Sequence, residues 1–423
     1  MDYKIQGLLK DLKDPKIKEQ YTQLIFTLLE KGYFPGLAGV PVVKSGISFV
    51  DGNKGILRYR GYPVEDIAEH CSYEVLSFLL LKGDLPLYEE RLAFHEQLLE
   101  NRHLDYDVSK VIVEMDKDLH PMYMLSSAVM LLQCADKGCF DVDNYHANFN
   151  RSINLIAKIP SIIGVFREKY PYFAKDEEFD SFAQYCLHAY NESAAENKDL
   201  VNIFEKLLIL HADHTMNNST FSVRSVASSK ASIYASIASA INSLSGPLHG
   251  GANEKVISML QEIAAPENVE NYVNQKLAAK EKIMGIGHRV YKTYDPRALY
   301  MKNNLLPLIF GDDSVIDVDE NTYLLYEIAK KVEKVVLDKL SGKKLYPNVD
   351  FWSGLVLLAM GIEPKYFTTI FTLGRIMGWT AHWVEHLEVK NRIFRPYQLY
   401  DGMNERHILI KQEEEIASSR IDY

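Results

Sequence analysis

One stretch of this sequence alternates as paired strands do, and nearly everything else repeats at helical spacing. Residues 47–60, Ile-Ser-Phe-Val-Asp-Gly-Asn-Lys-Gly-Ile-Leu-Arg-Tyr-Arg, alternate around a Gly-rich turn and predict a small hairpin near the N-terminus. Elsewhere apolar residues recur three and four apart: Ile5, Leu8, Leu9 and Leu12; after Pro15, Tyr21, Leu24, Ile25, Leu28 and Leu29; then Leu76, Leu79 and Leu80 up to Gly83. Across 321–340, Leu325, Ile328, Val332 and Val336 share one side, and Glu327 stands one turn before Lys331. Pro63 suits the first turn of a helix, and Pro364 opens another that runs to about Gly378, with Ala381 to Glu388 extending or restarting it. Helix after helix with a single hairpin predicts an all-α fold.

The 423 residues, 47% hydrophobic and 25% charged, suffice for a large core or two domains. No run of 18 apolar residues occurs, so no membrane span is expected. Met1 to Pro15 mixes Lys with Asp, unlike a secretory signal, and is too acidic for a transit peptide, which makes the cytoplasm the expected location. Cys71, Cys134, Cys139 and Cys186 show no CxxC spacing and read as reduced, mostly core residues. A net charge of −10 argues against nucleic acid or an anionic membrane as partner. Such a chain binds an anionic substrate only by gathering arginine locally.

Chemistry concentrates in a few segments. Gly246-Pro-Leu-His249-Gly-Gly-Ala-Asn-Glu254 follows the small-residue helical run Ala231 to Leu244, a candidate for close contact within the subunit or across a dimer. Its paired glycines allow a sharp turn or close ligand approach, and a helix starting at Ala252 would disfavour the imidazolium of His249. A neutral imidazole that donates N–H to a carbonyl acts as an electrophile; a locally satisfied histidine in a glycine turn is the plain alternative. His211-Ala-Asp-His214 ends an apolar helix, so its two imidazoles are expected on one face, as a hydrogen-bonding pair or, less economically, as metal ligands. In Met284-Gly-Ile-Gly-His288-Arg-Val-Tyr-Lys-Thr-Tyr-Asp-Pro-Arg297, His288 offers a proton donor and Arg297 an anion clamp, with Arg289 and Lys292 available to phosphates. Asp350 in Tyr346-Pro-Asn-Val-Asp-Phe-Trp-Ser-Gly354 lies among bulky apolar residues that would raise its pKa and make it a base, or it caps the following helix. Arg375, in an apolar helix, needs an anion, and Arg395 lies in a loop near the C-terminus; a structural ion pair is the alternative for each. His382-Trp-Val-Glu385-His386 fits the H-x-x-E-H pattern of zinc peptidases, three fixed residues that chance often supplies.

Taken in order, His-x-x-His, Gly-Pro-Leu-His-Gly-Gly-Ala-Asn-Glu, Gly-His-Arg-Val-Tyr-Lys, Asp-Pro-Arg, Asn-Val-Asp-Phe, Gly-Arg-x-x-Gly-Trp and Arg-Pro-x-Gln-Leu-Tyr resemble the citrate synthase family over roughly residues 46–402. The resemblance implies condensation of acetyl-CoA with oxaloacetate and hydrolysis of the citryl thioester. It assigns Asp350 as base, His249 as donor to the thioester oxygen, and His288 as donor to the oxaloacetate ketone. His214, Arg297 and Arg375 would hold the dianion, with Arg395 supplied by the other subunit of a homodimer or multiple of dimers, and Arg289 and Lys292 would meet CoA. It further implies a large helical domain, 1–250 with 362–423, and a smaller mobile one, 251–361. Acetyl-CoA serves as co-substrate, with no permanently bound cofactor and no metal. The helical start, in place of the β-rich N-terminal domain of some bacterial members, implies no NADH regulation. Trp352 and Tyr397 depart from common family residues and leave acyl-chain preference open, so 2-methylcitrate synthase, using propionyl-CoA, is the alternative within the family. A zinc metallopeptidase built on 382–386 is the alternative from another class.

Overall fold

A computed structural model describes residues 34–406 apart from 172, 175, 176, 341, 343, 344, 390, 391, 397, 399–401 and 404, together with 15, 17, 19–21 and 23. The helical patterns at 5–12 and 24–29 and the departure at Tyr397 lie outside the described residues. Two compact units divide the chain: Met1–Lys44 with Arg395–Tyr423, and Ser45–Phe394. Described structure in the first includes a 3-10 turn, Pro35–Leu37.

The second unit begins with an antiparallel meander, β1 (Ser48–Asp51), β2 (Ile56–Tyr59) and β3 (Tyr62–Pro63), in which Ser48 pairs with Tyr59 and Asp51 with Ile56. The expected hairpin therefore gains a third short strand, and Pro63 stands at the N-cap of the first helix rather than inside it. The helices follow as α1 (Val64–His70), α2 (Tyr73–Lys82), α3 (Tyr88–Glu100), α4 (Tyr106–Glu114), α5 (Pro121–Leu131), α6 (Tyr145–Glu168), α7 (Phe182–His188), α8 (Glu192–Ala195), α9 (Lys198–His211), α10 (Asn218–Ala227) and α11 (Ile233–Leu244). After the His249 segment come α12 (Ala252–Ile263), α13 (Val269–Ala278), α14 (Pro296–Tyr300), α15 (Leu306–Phe310), α16 (Glu320–Leu340), α17 (Val349–Ala359) and α18 (Phe367–Glu388). The predicted helix over 321–340 is α16, where Glu327 pairs with Lys330 at 2.6 Å.

Helix α18 is the axis of the core. It is buried almost all round, as an apolar helix in the centre of a large protein must be, and it packs against α2, α6, α9, α10 and α11. It runs unbroken through Gly378 after a 3-10 turn at Pro364–Tyr366, so the restart allowed by the sequence does not occur. Gly374 and Gly378 explain this geometry. They lie one turn apart on the face toward the end of α9, where a Cβ at 374 would stand 2.7 Å from Leu208 O and one at 378 would collide with Ala212 O. Two bare glycines thus let α9 and α18 touch backbone to backbone, and Arg375 is placed beside the last turn of α9. The small-residue helix α11 packs against α5, α10 and α18, with Ala235, Ser239, Asn242 and Ser243 along a less buried side. Cys139 and Cys186 are buried, Cys71 is half-buried and Cys134 exposed, all as free thiols. Among the described residues no helix is long and apolar enough to cross a membrane.

Candidate active site

The segments singled out in the sequence meet around two buried guanidinium groups. Helix α9 stops at His211, so His211 and His214 do not share a helical face as their spacing suggested. Asp213 causes the break. Its buried carboxylate accepts from Ser48 Oγ and from Thr215 N at 3.1 Å and stands 3.3 Å from His382 Nε2. The chain turns there with Thr215 at φ +51°, and His214 is aimed at Tyr291, Nε2 to hydroxyl 3.1 Å, with its ring centroid 5.2 Å from that of His288.

His288 belongs to a loop fastened to the start of α17 by backbone bonds. Gly287 N donates to Tyr346 O at 2.8 Å and Asn348 N to Gly285 O at 2.9 Å, while Asn348 Nδ2 reaches Gly287 O at 2.9 Å. Gly285 and Gly287 have φ of +72° and +91°, a region open to glycine and costly for other residues. Two amides fix the proton on the ring: Val290 N and Tyr291 N both donate to His288 Nδ1, at 2.9 and 3.2 Å. An atom that accepts from N–H carries no hydrogen, so neutral His288 holds its proton on Nε2. Burial, then the Arg297 charge, lowers its pKa to about 4.

The same logic applies to His249. Ser219 N donates to His249 Nε2 at 3.3 Å, with Ser219 Oγ 2.8 Å from the same atom, so the imidazole keeps its hydrogen on Nδ1. Burial, helped by Arg375, lowers its pKa to about 4. The sequence attributed a neutral His249 to the helix after it; burial is the larger cause, and the N–H that meets Nε2 comes from the first turn of α10, which Asn217 caps. The glycine turn has a packing reason as well, since a Cβ on Gly250 would lie 2.5 Å from Leu244 O.

Asp350 does not cap its helix. Asn348 does, accepting from Asp350 N at 3.0 Å. Oδ1 of Asp350 is shut off from solvent without a hydrogen-bond partner among the described residues, and burial lifts the carboxyl to about pH 7 against the pull of Arg297 and Arg375. Arg297 is clamped by Asp295, Nε to Oδ1 at 3.0 Å and Nη2 to Oδ2 at 2.7 Å, which leaves Nη1 uncommitted among the described residues. Arg375 has no carboxylate at ion-pair distance among the described residues. Its Nε donates to His211 O at 2.7 Å, its guanidinium lies over the Phe371 ring at 4.8 Å, and burial brings it down to about 10. The two arginines bind the cluster into one field: Arg297 acts on His214, His288 and Asp350, and Arg375 on His214, His249 and Asp350.

The remaining candidates fall elsewhere. Arg289 and Lys292 are exposed on the loop after His288, and Arg395 is exposed in the unit formed by the chain ends. The peptidase pattern is used up structurally. Arg224 donates to His382 Nδ1 from Nε at 3.0 Å and pairs with Glu385, which also accepts from Gly46 N at 2.9 Å, while His382 Nε2 faces Asp213. Among the described residues no group of three or more His, Cys, Asp or Glu side chains is placed to hold a metal. A cavity of about 550 Å³ bordered by Asn101, Arg151, Asn154 and Lys158 shares no residue with the cluster. Reasoning from sequence did not single out Ser219, Tyr291, Asp213 or Asn348. Tyr291, Asp213 and Asn348 lay inside quoted motifs, and Asn217-Asn218-Ser219-Thr220 reads as a helix start, but nothing local ties Ser219 to His249 thirty residues on.

Comparison with known proteins identifies the family and the fold. The family described as "Citrate synthase, C-terminal domain" matches residues 36–397. Citrate synthase of Synechocystis sp. is 39% identical over 393 residues, 90% of this chain and 96% of that protein. That of Corynebacterium glutamicum is 37% identical over 397 residues, 90% of this chain and 88% of its own. Among solved structures, the ternary complex of Thermoplasma acidophilum citrate synthase with carboxymethyl coenzyme A and oxaloacetate superposes with a TM-score of 0.79 at 30% identity, covering 88% of this chain and 96% of that one. The Pyrobaculum aerophilum enzyme gives 0.76 at 35%, covering 90% and 94%. Fold, cluster and comparisons together define an all-α condensing enzyme, an acyltransferase. The chain belongs to the citrate synthase family.

Proposed function

We propose that this chain condenses acetyl-CoA with oxaloacetate and hydrolyses the resulting thioester to citrate and CoA. The observation that carries the reading is Asp350: a carboxylate with a bare oxygen, lifted to about pH 7, in the field of two arginines. It is poised to take a proton from the acetyl methyl group. His249 Nδ1–H donates to the thioester oxygen and stabilises the enol, and a neutral donor suits this step because it adds no third positive charge to lower the Asp350 pKa and weaken the base. The enol carbon attacks the oxaloacetate ketone while His288 Nε2–H hydrogen-bonds and protonates the ketone oxygen. His214, Arg297 through Nη1, and Arg375 hold the two carboxylates, which supply the anion Arg375 lacks. Water then cleaves the citryl thioester and releases CoA.

In this reading residues 251–361 form a small domain that closes over the substrates against 1–250 and 362–423, excluding water until condensation is complete. Arg289 and Lys292, exposed beside His288, suit the phosphates of CoA, and Arg395 completes the neighbouring subunit's pocket in a homodimer working in the cytoplasm. The test is release of CoA from acetyl-CoA with oxaloacetate, set beside propionyl-CoA. A single methylene is worth only about 1–3 kcal/mol of discrimination. The reading predicts a higher kcat/KM for acetyl-CoA; a preference for propionyl-CoA would make the enzyme a 2-methylcitrate synthase, and no thiol release with either would refute it.

A further inference from the structure

The β-meander supplies none of the residues proposed for catalysis or oxaloacetate binding, yet it touches both segments that present the oxaloacetate-facing histidines. At one end of β1, Ser48 Oγ donates to Asp213 and accepts from Thr215 N at 3.0 Å, gripping the turn that aims His214. At the other end, Gly52 O accepts from Lys292 N at 2.8 Å. Gly52 needs no unusual φ; it is glycine because the chain passes so close that a Cβ there would run into the Val290 carbonyl. Gly55 is also close to this loop, a Cβ on it standing 2.9 Å from Thr293 Cγ2 and 3.1 Å from Tyr294 O, but there a φ of +67° calls for glycine as well. Val290 and Tyr291 are the residues whose amides hold the His288 ring, and Tyr291 is the partner of His214.

The strand between these grips is stiff for its length. Four residues extend roughly 13 Å, they are paired along β2, and Tyr59 at the far side of the pair is buried with its hydroxyl donating to Ile209 O at 3.2 Å in α9. Asp51 Oδ1 accepts from Asn53 N at 3.0 Å and Lys54 N at 3.1 Å, which sets the turn that carries Gly52.

We propose that the meander is a spacer that fixes the separation of His214 from His288 and Tyr291, with Gly52 and Ser48 as positioning residues for oxaloacetate. The inference rests on the functional reading above, in which the 290–294 loop belongs to the closing segment and the meander to the stationary one, so the contact at Gly52 is where closure stops.

Gly52→Ala in the full-length enzyme inserts one methyl group at that stop without altering any cluster residue. Displacing a binding group by an ångström costs up to about 10²-fold, and the expected result is an oxaloacetate KM raised about tenfold or more and a lower kcat. Hydrogen exchange gives a second readout: the Lys292 amide exchanges faster in the variant without ligand, and oxaloacetate no longer protects 290–294. A role in folding alone would lower Tm and leave the oxaloacetate KM where it was. Asp51→Ala, which loosens the turn and adds no atoms, shifts the same quantities less and serves if Gly52→Ala does not fold. Oxaloacetate KM and 290–294 exchange within twofold of wild type in the folded variant overturn the spacer. Absence of condensation in the wild type refutes the functional reading instead, and Lys292 exchange in the ligand-free proteins still decides whether the contact at Gly52 holds the loop.

Discussion

Asp295 meets Arg297 through two hydrogen bonds, whereas Asp350, in the field of the same guanidinium, has an oxygen that no donor reaches among the described residues. The consequences are opposite. Asp295 is held below the usual carboxylate range chiefly because the Arg297 charge and hydrogen bonds outweigh burial, and Asp350 rises to about 7 because burial outweighs the pull of Arg297 and Arg375. A paired buried carboxylate is a girder, and an unpaired one is a base in waiting. The arginines divide in the same way: Arg297 is clamped, and Arg375 is left for a ligand.

Exchanging Asp350 for Asn should produce the largest change. General base catalysis is worth roughly 10²–10⁴-fold, so kcat should fall by about that factor while calorimetric affinity for oxaloacetate stays nearly intact; near-normal turnover would take the role of base away from Asp350. The same variant should gain stability. The folded-state pKa of Asp350 lies above its unfolded value, so the stabilisation from its protonation is complete below the unfolded value and lost as pH rises through about 7. With nothing to ionise, Asp350→Asn should melt above wild type at pH 8, and the gap should narrow toward pH 5.

Asp295→Asn should do the reverse. Removing one partner of a buried pair costs about 3–5 kcal/mol, so Tm should fall and oxaloacetate binding weaken with it; an unchanged Tm would mean that Arg297 finds another anion. Arg375→Leu should weaken oxaloacetate by roughly 10–100-fold, the worth of one or two charge-assisted bonds, with a smaller loss of stability than Asp295→Asn because no carboxylate among the described residues stands at ion-pair distance from it, although its charge helps hold Asp213 ionised; unchanged affinity would make it a core residue only. Ser219→Ala tests the second neutral donor. It keeps the backbone N–H on His249 Nε2 and deletes the hydroxyl, and kcat should drop by about tenfold or less with oxaloacetate affinity unaltered.

Much of this was legible in the sequence because glycine, proline and helical spacing are local signals. The hairpin, α16 and the Gly-Arg-x-x-Gly motif stood out at once, and the residues proposed to carry the chemistry were named inside their motifs. What escaped was set by partners far away in the chain. Helical spacing alone would run α9 through His214, but Asp213 is drawn off by Ser48 and His382, more than 160 residues away on either side. Nothing near His249 tells which nitrogen holds its hydrogen; an amide at the start of α10 decides that. The reason for two glycines around Arg375 appeared only when α9 was found against them.

The contrast between the two aspartates can be measured without turnover. Potentiometric titration of wild type against Asp350→Asn, both folded and ligand-free, should differ by one proton released around pH 7. A difference centred near pH 4, where ordinary carboxyl groups titrate, would mean that Asp350 is as well satisfied as Asp295 and would contradict the account.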